Sequence, residues 1–360
     1  MSAQHHYVTS AYLDGFLSDK QKMLYVYTRN RDHFFRVRPD KVARIRNYYS
    51  REQEDGTIDD KLESMLQKNV EDPGLAVIRK LNAGKYGISR EARAALAFLL
   101  AIQEYRVPWM RNHTEELIHT MQQKFSDKVF QTPGLMEQYL EETQKDKADD
   151  GKRVTADGIR QAIKNGDIYL LKHPSASLWA MGQVAELLTN IYYGMHWAIL
   201  EGQDLPFLVS DCPVHRYFLP IDPHVPYRAL MDMRVQVRFP LSRSRMLVLT
   251  PDLGRIQQVN ELMEKGKKDA AAKLQGANSQ IHVIRVTNDD VEKINAHTIS
   301  MAARIVLAPS EMPEIVPLFR GECQNVRNKF SDVGDALMVK AEYPQTTRYA
   351  TAARRSRQPQ

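Results

Sequence analysis

The run SREARAALAFLLAIQEYRVPW, Ser89 to Trp109, constrains the fold more than any other stretch. Its pattern is helical. Ser89 suits the N-cap, and Pro108 ends or kinks the helix. The centre, Ala94 to Ile102, is nine consecutive apolar residues. A bilayer needs roughly 20, so the rest of the chain must wrap this helix. Gln103 and Arg106 stand one turn apart and in line with Leu99, which shares their face of the helix. An apolar stripe that ends in Gln and Arg takes polar groups inward, where they need partners.

The flanking segments supply the wrapping. KMLYVYTRN reads as a strand and HFFRVRP as its hairpin partner. The segment from Ile58 to Gly84 is helical, with Leu62, Met65, Leu66 and Val70 on one stripe. Asp72-Pro73-Gly74 interrupts or kinks it, and Gly84 suits its end. Helical pattern continues from Thr114 to about Glu142, broken at TPG, and resumes from Thr155 to Gly202 with Trp179 and Trp197. The texture then changes. LPFLVSDCPV, MRVQVRFPLS, RMLVLTP and SQIHVIRV are short strands between turn signals. A helix from Asn288, capped by Asn288 or Asp289, closes the fold. The predicted class is α+β, with a small N-terminal β element, a large helical middle and a β-rich C-terminal part closed by a helix. One α+β domain covers 1–310, or two lobes meet at a charged linker near 141–154; 343–360 reads as a basic disordered tail. There is no internal repeat and no Gly-rich phosphate loop.

Composition bounds the chemistry. The two cysteines, Cys212 and Cys323, are far apart and form no thiolate metal pattern, which fits a reducing, cytoplasmic setting. No signal peptide and no membrane span is expected. The net charge of +6 permits an anionic partner. Its densest basic segment runs from Arg29 to Arg51 and interleaves Arg29, Arg31, Arg36, Arg38, Arg44 and Arg46 with aromatics. Arg pairs with phosphate and aromatic faces stack on bases. The plainer reading is a half-buried strand whose Phe34 and Phe35 enter the core.

Taken in order, HHYVTSAYLDGF, YYS, LESMLQKNVED, AIQEYRVP, HWAIL, FLVSDCPV and RFPLS resemble the domain of unknown function 4238 family of microbial proteins. The likeness runs from about Gln4 to Val306. Thr9 stands where that family has Pro, Val107 where it has Thr, and Cys212 where it has Asn. The family supplies no established reaction.

The candidate chemistry therefore comes from the residues. Thr9 to Asp14 reads as a short helix ending at Gly15, which puts His6 ahead of a helix start; the positive end of the helix favours a neutral imidazole. His5 reads as solvent-facing. Gln103 and Arg106 form either a structural network or a clamp on phosphate or carboxylate. Asp211 sits at a strand end, in an Asx-type turn or on display as a catalytic carboxylate. Glu71 and Glu63 are the other acidic candidates, with Glu71 nearer the family's acidic position. Arg106 and His113 share the spacing of some helical ribonucleases, the HEPN domains, but Pro108 lies between them. The expectation is a phosphodiester hydrolase, a nuclease with a host-defence or toxin-like role. His6, Gln103, Arg106 and Asp211 would be catalytic, Glu71 and Asp211 would hold magnesium or manganese, and the arginines would bind RNA or DNA. The alternative is a non-catalytic interaction module whose buried polar residues are structural. A protein partner or a homo-oligomer fits either reading.

Overall fold

A computed structural model of the chain describes residues 4–18, 22–29, 31–52, 58–59, 61–132, 134–144, 154–165, 176–218, 235–275 and 281–320. The middle of the expected linker, 145–153, and the basic tail, 343–360, lie outside the described residues.

The chain opens with β1 (Gln4–His6), then α1 (Ser10–Leu13), which runs on as a 3-10 turn over Asp14–Phe16. The turn carries through Gly15 rather than stopping there, because Phe16 is fully buried and pulls it inward. The hairpin is present as β2 (Leu24–Thr28) and β3 (Phe35–Val37), paired antiparallel with Leu24 opposite Val37. Next come β4 (Arg44–Arg46), β5 (Arg51–Glu52) and β6 (Ile58–Asp59).

The helical middle begins with α2 (Lys61–Leu66), a π-helical turn over Gln67–Glu71, and α3 (Asp72–Asn82). Pro73 does not break this helix. It lacks an N–H and crowds the carbonyl four residues back, and the wider π turn just before it absorbs both defects. Met65 is exposed, while Leu66 and Val70 are buried. Helix α4 (Arg90–Arg106) starts on Ser89, whose hydroxyl accepts from the Ala92 N–H at 3.2 Å. Val107 is extended, and Pro108 opens α5 (Pro108–Gln131) rather than kinking α4. Helices α6 (Leu135–Gln144), α7 (Ala156–Asn165) and α8 (Ala176–Gly194) follow.

Trp197 is not helical. It lies on β7 (His196–Gly202), which follows α8 after one residue. The rest comprises β8 (Val209–Ser210), β9 (His215–Phe218), β10 (Val235–Ser242), β11 (Arg245–Thr250), α9 (Leu253–Glu264), α10 (Lys268–Gln275), β12 (His282–Val286), α11 (Asn288–Met301) and β13 (Ile305–Ala308). Helix α11 is capped one residue earlier than expected, by Thr287, in a capping box with Asp290. It is not the last element, because β13 follows it.

The mixed α+β architecture holds: small N-terminal sheets, a helical middle, and β-rich C-terminal sheets with helices. One sheet has the order β12-β7-β11-β10-β9, antiparallel except for the β12–β7 pair. The other has the order β3-β2-β13-β8, so the late strand β13 sits between an early and a middle piece of chain. The core lies where α4 packs against α3 and α8 and where the five-stranded sheet meets them, with Leu96, Leu100, Tyr192, Trp197 and Phe239 in one apolar cluster. Arg93 joins these layers. It donates to the carbonyls of Tyr193 (2.9 Å) and Met195 (2.5 Å) at the end of α8, and its guanidinium lies 4.3 Å from the Trp197 ring. No helix among the described residues is long and apolar enough to cross a membrane.

Candidate functional site

The leading segment is threaded into the body of the fold. Strand β1 pairs antiparallel with β4, His5 opposite Ile45 and His6 opposite Arg44. The Tyr7 N–H donates to the Ala43 carbonyl at 3.0 Å, and Ala43 takes a left-handed conformation (φ 53°) to present it. Tyr12 then reaches the Pro240 carbonyl at 2.6 Å.

Strand alternation sends the two histidines to opposite sides. His5, expected at the surface, is buried. Its Nδ1 accepts the Tyr49 N–H at 2.9 Å, and its ring stacks on Tyr49 at 5.7 Å. His6 is half-buried, and its Nε2 has no hydrogen-bond partner. Burial lowers its pKa; a hydrogen bond with the Asp40 backbone opposes this, and Arg44 reinforces it. His6 is therefore neutral at pH 7, but beside a strand and a turn rather than in the field of a helix end.

Four of the expected residues share one neighbourhood. The Gln103 amide donates to the Tyr7 carbonyl at 2.9 Å, and its oxygen accepts from Arg106 Nε at 2.9 Å. Arg106 Nη1 pairs with Glu71, which the π turn delivers to this point. Glu71 and Arg106 both bear on the His6 imidazole electrostatically. The Arg106 side chain is 0% exposed, and burial works against its charge but is outweighed by Tyr49 and Glu71. Two further buried atoms here lack partners, Arg106 Nη2 and the Tyr49 hydroxyl. Tyr48, half-buried beside Tyr49, donates to the Arg106 carbonyl at 2.8 Å and so satisfies the end of α4.

Asp211 is placed differently. Both its oxygens accept backbone N–H groups, from Ala303 at 2.9 Å and Arg304 at 2.8 Å, so it ties the β8 turn to the start of β13. Burial raises its pKa to about 6, against those N–H groups and Arg29. Its link to the other candidates runs through Tyr7, whose hydroxyl it biases toward the neutral form after burial has done most of that work. No three His, Cys, Asp or Glu side chains among the described residues are arranged to hold a metal ion. Glu71 and Asp211 already have partners from separate elements, so they do not form a shared cation site.

The basic segment divides between two sheets, β3 in the four-stranded one and β4 against β1. Arg29 is structural. Its guanidinium donates to the carbonyls of Ala302 (2.5 Å) and Ala303 (3.2 Å) and lies 4.5 Å from the Phe319 ring. Arg38 pairs with Asp40 at 3.2 Å. Arg31, Arg36 and Arg46 are exposed and Arg44 half-exposed; among the described residues none of the four pairs with a carboxylate. Phe34 packs against Tyr25 and Tyr27, but Phe35 points outward, 38% exposed, with Arg31 over its ring at 5.7 Å.

Fold and network together define a class: a mixed α+β protein whose first strand is pinned into its helical middle by buried polar side chains. The chain belongs to a family of proteins of unknown function, DUF4238, whose model matches residues 4–311. No curated protein and no solved structure matches it.

Sequence reasoning missed one polar group altogether. His215, Tyr217, Arg238 and His297 gather on one face of β9 and β10 beneath α11. Only the four-residue step from Asp211 to His215 in SDCPVH hinted at it.

Proposed function

We propose that this chain is a non-catalytic binding module for an anionic macromolecule, nucleic acid first, working in the cytoplasm. Its Glu71–Arg106–Gln103 network is then structural. The observation that carries this reading is the complete burial of Arg106, already shared between Glu71 and Gln103. A guanidinium closed off from solvent does not meet a phosphodiester. The groups that can meet one are at the surface. Arg31 lies over the outward ring of Phe35 on an edge strand, which combines phosphate pairing with a stacking face, and the exposed Arg36 follows on the strand's other face, over Tyr25. The formal net charge of +6 favours the same class of partner.

A second reading, a phosphodiester hydrolase, draws on one specific observation. His6 is neutral and half-buried, its Nε2 is enclosed and unpartnered, and Arg106, whose Nη2 is also unpartnered, acts on it electrostatically. A neutral imidazole so placed is fit for general base work, and unpaired buried groups call for a water or a ligand.

One assay separates them. Labelled single-stranded RNA and DNA are incubated with wild type, His6→Ala, Phe35→Ala and the double variant Arg31→Gln/Arg36→Gln, with and without magnesium or manganese. Binding is read by anisotropy at two salt concentrations and cleavage on a gel. The module predicts binding that weakens with salt, a log–log salt slope smaller by about 2 in the double arginine variant, and no cleavage. Cleavage that His6→Ala abolishes while its melting temperature holds would establish the hydrolase instead.

A further inference from the structure

Strands β9 and β10 place His215 opposite Arg238 and Tyr217 opposite Gln236. Directly opposed residues share a face, so these four lie together. Arg216, between them in sequence, turns to the other face and pairs with Glu104 at 2.8 Å. Helix α11 brings His297 onto the first face, its ring 5.0 Å from that of His215 and 4.9 Å from that of Tyr217.

The hydrogen bonding of this cluster is incomplete. Arg238 spends Nε and Nη2 on the single oxygen of Gln236, at 3.2 and 2.8 Å, and lies 3.7 Å over the Tyr217 ring. Among the described residues no carboxylate pairs with it. His215 is buried against the backbone of Pro213 and Cys212 but makes no hydrogen bond of good geometry at either ring nitrogen, and His297 Nδ1 is buried and unpartnered. Ring nitrogens without well-formed hydrogen bonds and a guanidinium with no carboxylate partner among the described residues therefore lie side by side. Burying a cation without a counter-charge is costly, and so is each unmade hydrogen bond.

We infer that the His215–Arg238–His297 cluster is a binding site for an oxyanion, a carboxylate or a phosphate group. A metal cation fits poorly, since Arg238 repels it and two imidazoles fall short of a ligand set. Water would fill the hydrogen bonds but leave the charge. An oxyanion does both, accepting from the guanidinium and from the imidazoles. In the protein alone, burial and Arg238 hold both rings neutral, against a smaller opposing pull on His215 from the backbone of Pro213 and Cys212. A bound anion reverses that balance, so binding should draw in a proton.

The test is calorimetric titration of the full chain at pH 6.5 with inorganic phosphate and, separately, acetate, against chloride at matched ionic strength. Each titration is run in two buffers of different ionisation enthalpy. The expected result is one site, net uptake of about one proton, and affinity reduced about tenfold or more in Arg238→Gln, with Lys124→Gln, an exposed position on α5, unchanged. Phosphate binding without acetate binding identifies a phosphate site, and the reverse a carboxylate site. His297→Gln, which keeps a neutral polar side chain, should lose proton uptake and serves if Arg238→Gln does not fold. Absence of saturable binding by either anion, or binding equally weakened by Lys124→Gln, overturns the inference.

Discussion

His5 and His6 are the same residue type one position apart, and they do opposite things. His5 supplies the acceptor for a buried N–H and stacks on Tyr49. Truncating it orphans that donor, so His5→Ala should cost about 1–3 kcal/mol, with His5→Asn recovering part. His6→Ala removes a ring whose Nε2 has no partner and should cost about 1 kcal/mol or less. Urea denaturation of the three variants checks the order. This contrast was hidden in the sequence. Reading His6 as the residue before a helix hides the strand in which alternation separates the pair, and that strand exists only because β4, far along the chain, pairs with it. The polar types at Glu71, Gln103, Arg106 and Asp211 were legible as candidates. Their partners were not, because hydrogen bonds such as that of Gln103 to the Tyr7 carbonyl depend on the tertiary fold. Titration belongs to this scale too. A histidine in the unfolded chain titrates near 6.5, whereas burial, the neighbouring His297 and Arg238 depress His215 strongly, and burial with Arg238 takes His297 to about 3. The unfolded chain then binds more protons, so their stability contribution is complete above about pH 6.5 and is lost as pH falls toward 3. Asp211, raised to about 6, works the other way over roughly pH 6 to 4. Two groups against one give a net decline. In buffers free of phosphate and carboxylate the urea midpoint should fall from pH 7.5 to 5, and His297→Gln, which leaves one group against one, should remove most of that fall.

At the level of elements, the helix pair α3–α4 delivers Glu71 to Arg106, and its closeness rests on Gly74. A Cβ there would come within 2.7 Å of the Leu99 Cβ and 2.6 Å of its Cδ2. Gly74→Ala should therefore destabilise by about 1–3 kcal/mol. Combined with Leu99→Ala, the pair should cost less than the sum of the single changes, since each relieves the other. Thermal unfolding of the three variants measures it. The elements most legible in the sequence were those with strong local signals: α4 with its Ser89 cap, the β2–β3 hairpin, and β10 and β11. Trp197 was misplaced because HWAIL continues the apolar pattern of the helix straight past Gly194, the α8 terminus, and a single residue, Met195, makes the switch. Strand β13 was missed because IVLA follows a helix after only Ala302, Ala303 and Arg304 and draws its pairing from β2 and β8, remote in sequence.

For the whole molecule, a late strand lies between an early one and a middle one, and a single buried network holds the first strand against the helices. In the proposed reading the Glu71–Arg106 pair is a structural tie, and binding is left to the exposed arginines and Phe35. Sequence alone left the tie and the clamp evenly matched, because a Gln and an Arg at the end of an apolar stripe serve either; the burial of Arg106 is what supports the tie in our proposal. The most direct measurement replaces the pair singly and together, as Glu71→Leu, Arg106→Met and the double variant, and follows stability and oligonucleotide binding side by side. Each single change strands a buried charge and should cost about 3–5 kcal/mol. The double variant should be more stable than either single one and should bind the oligonucleotide as wild type does. A double variant that folds as well as wild type but has lost binding, or has lost a cleavage activity that wild type possesses, would contradict the structural role of the pair.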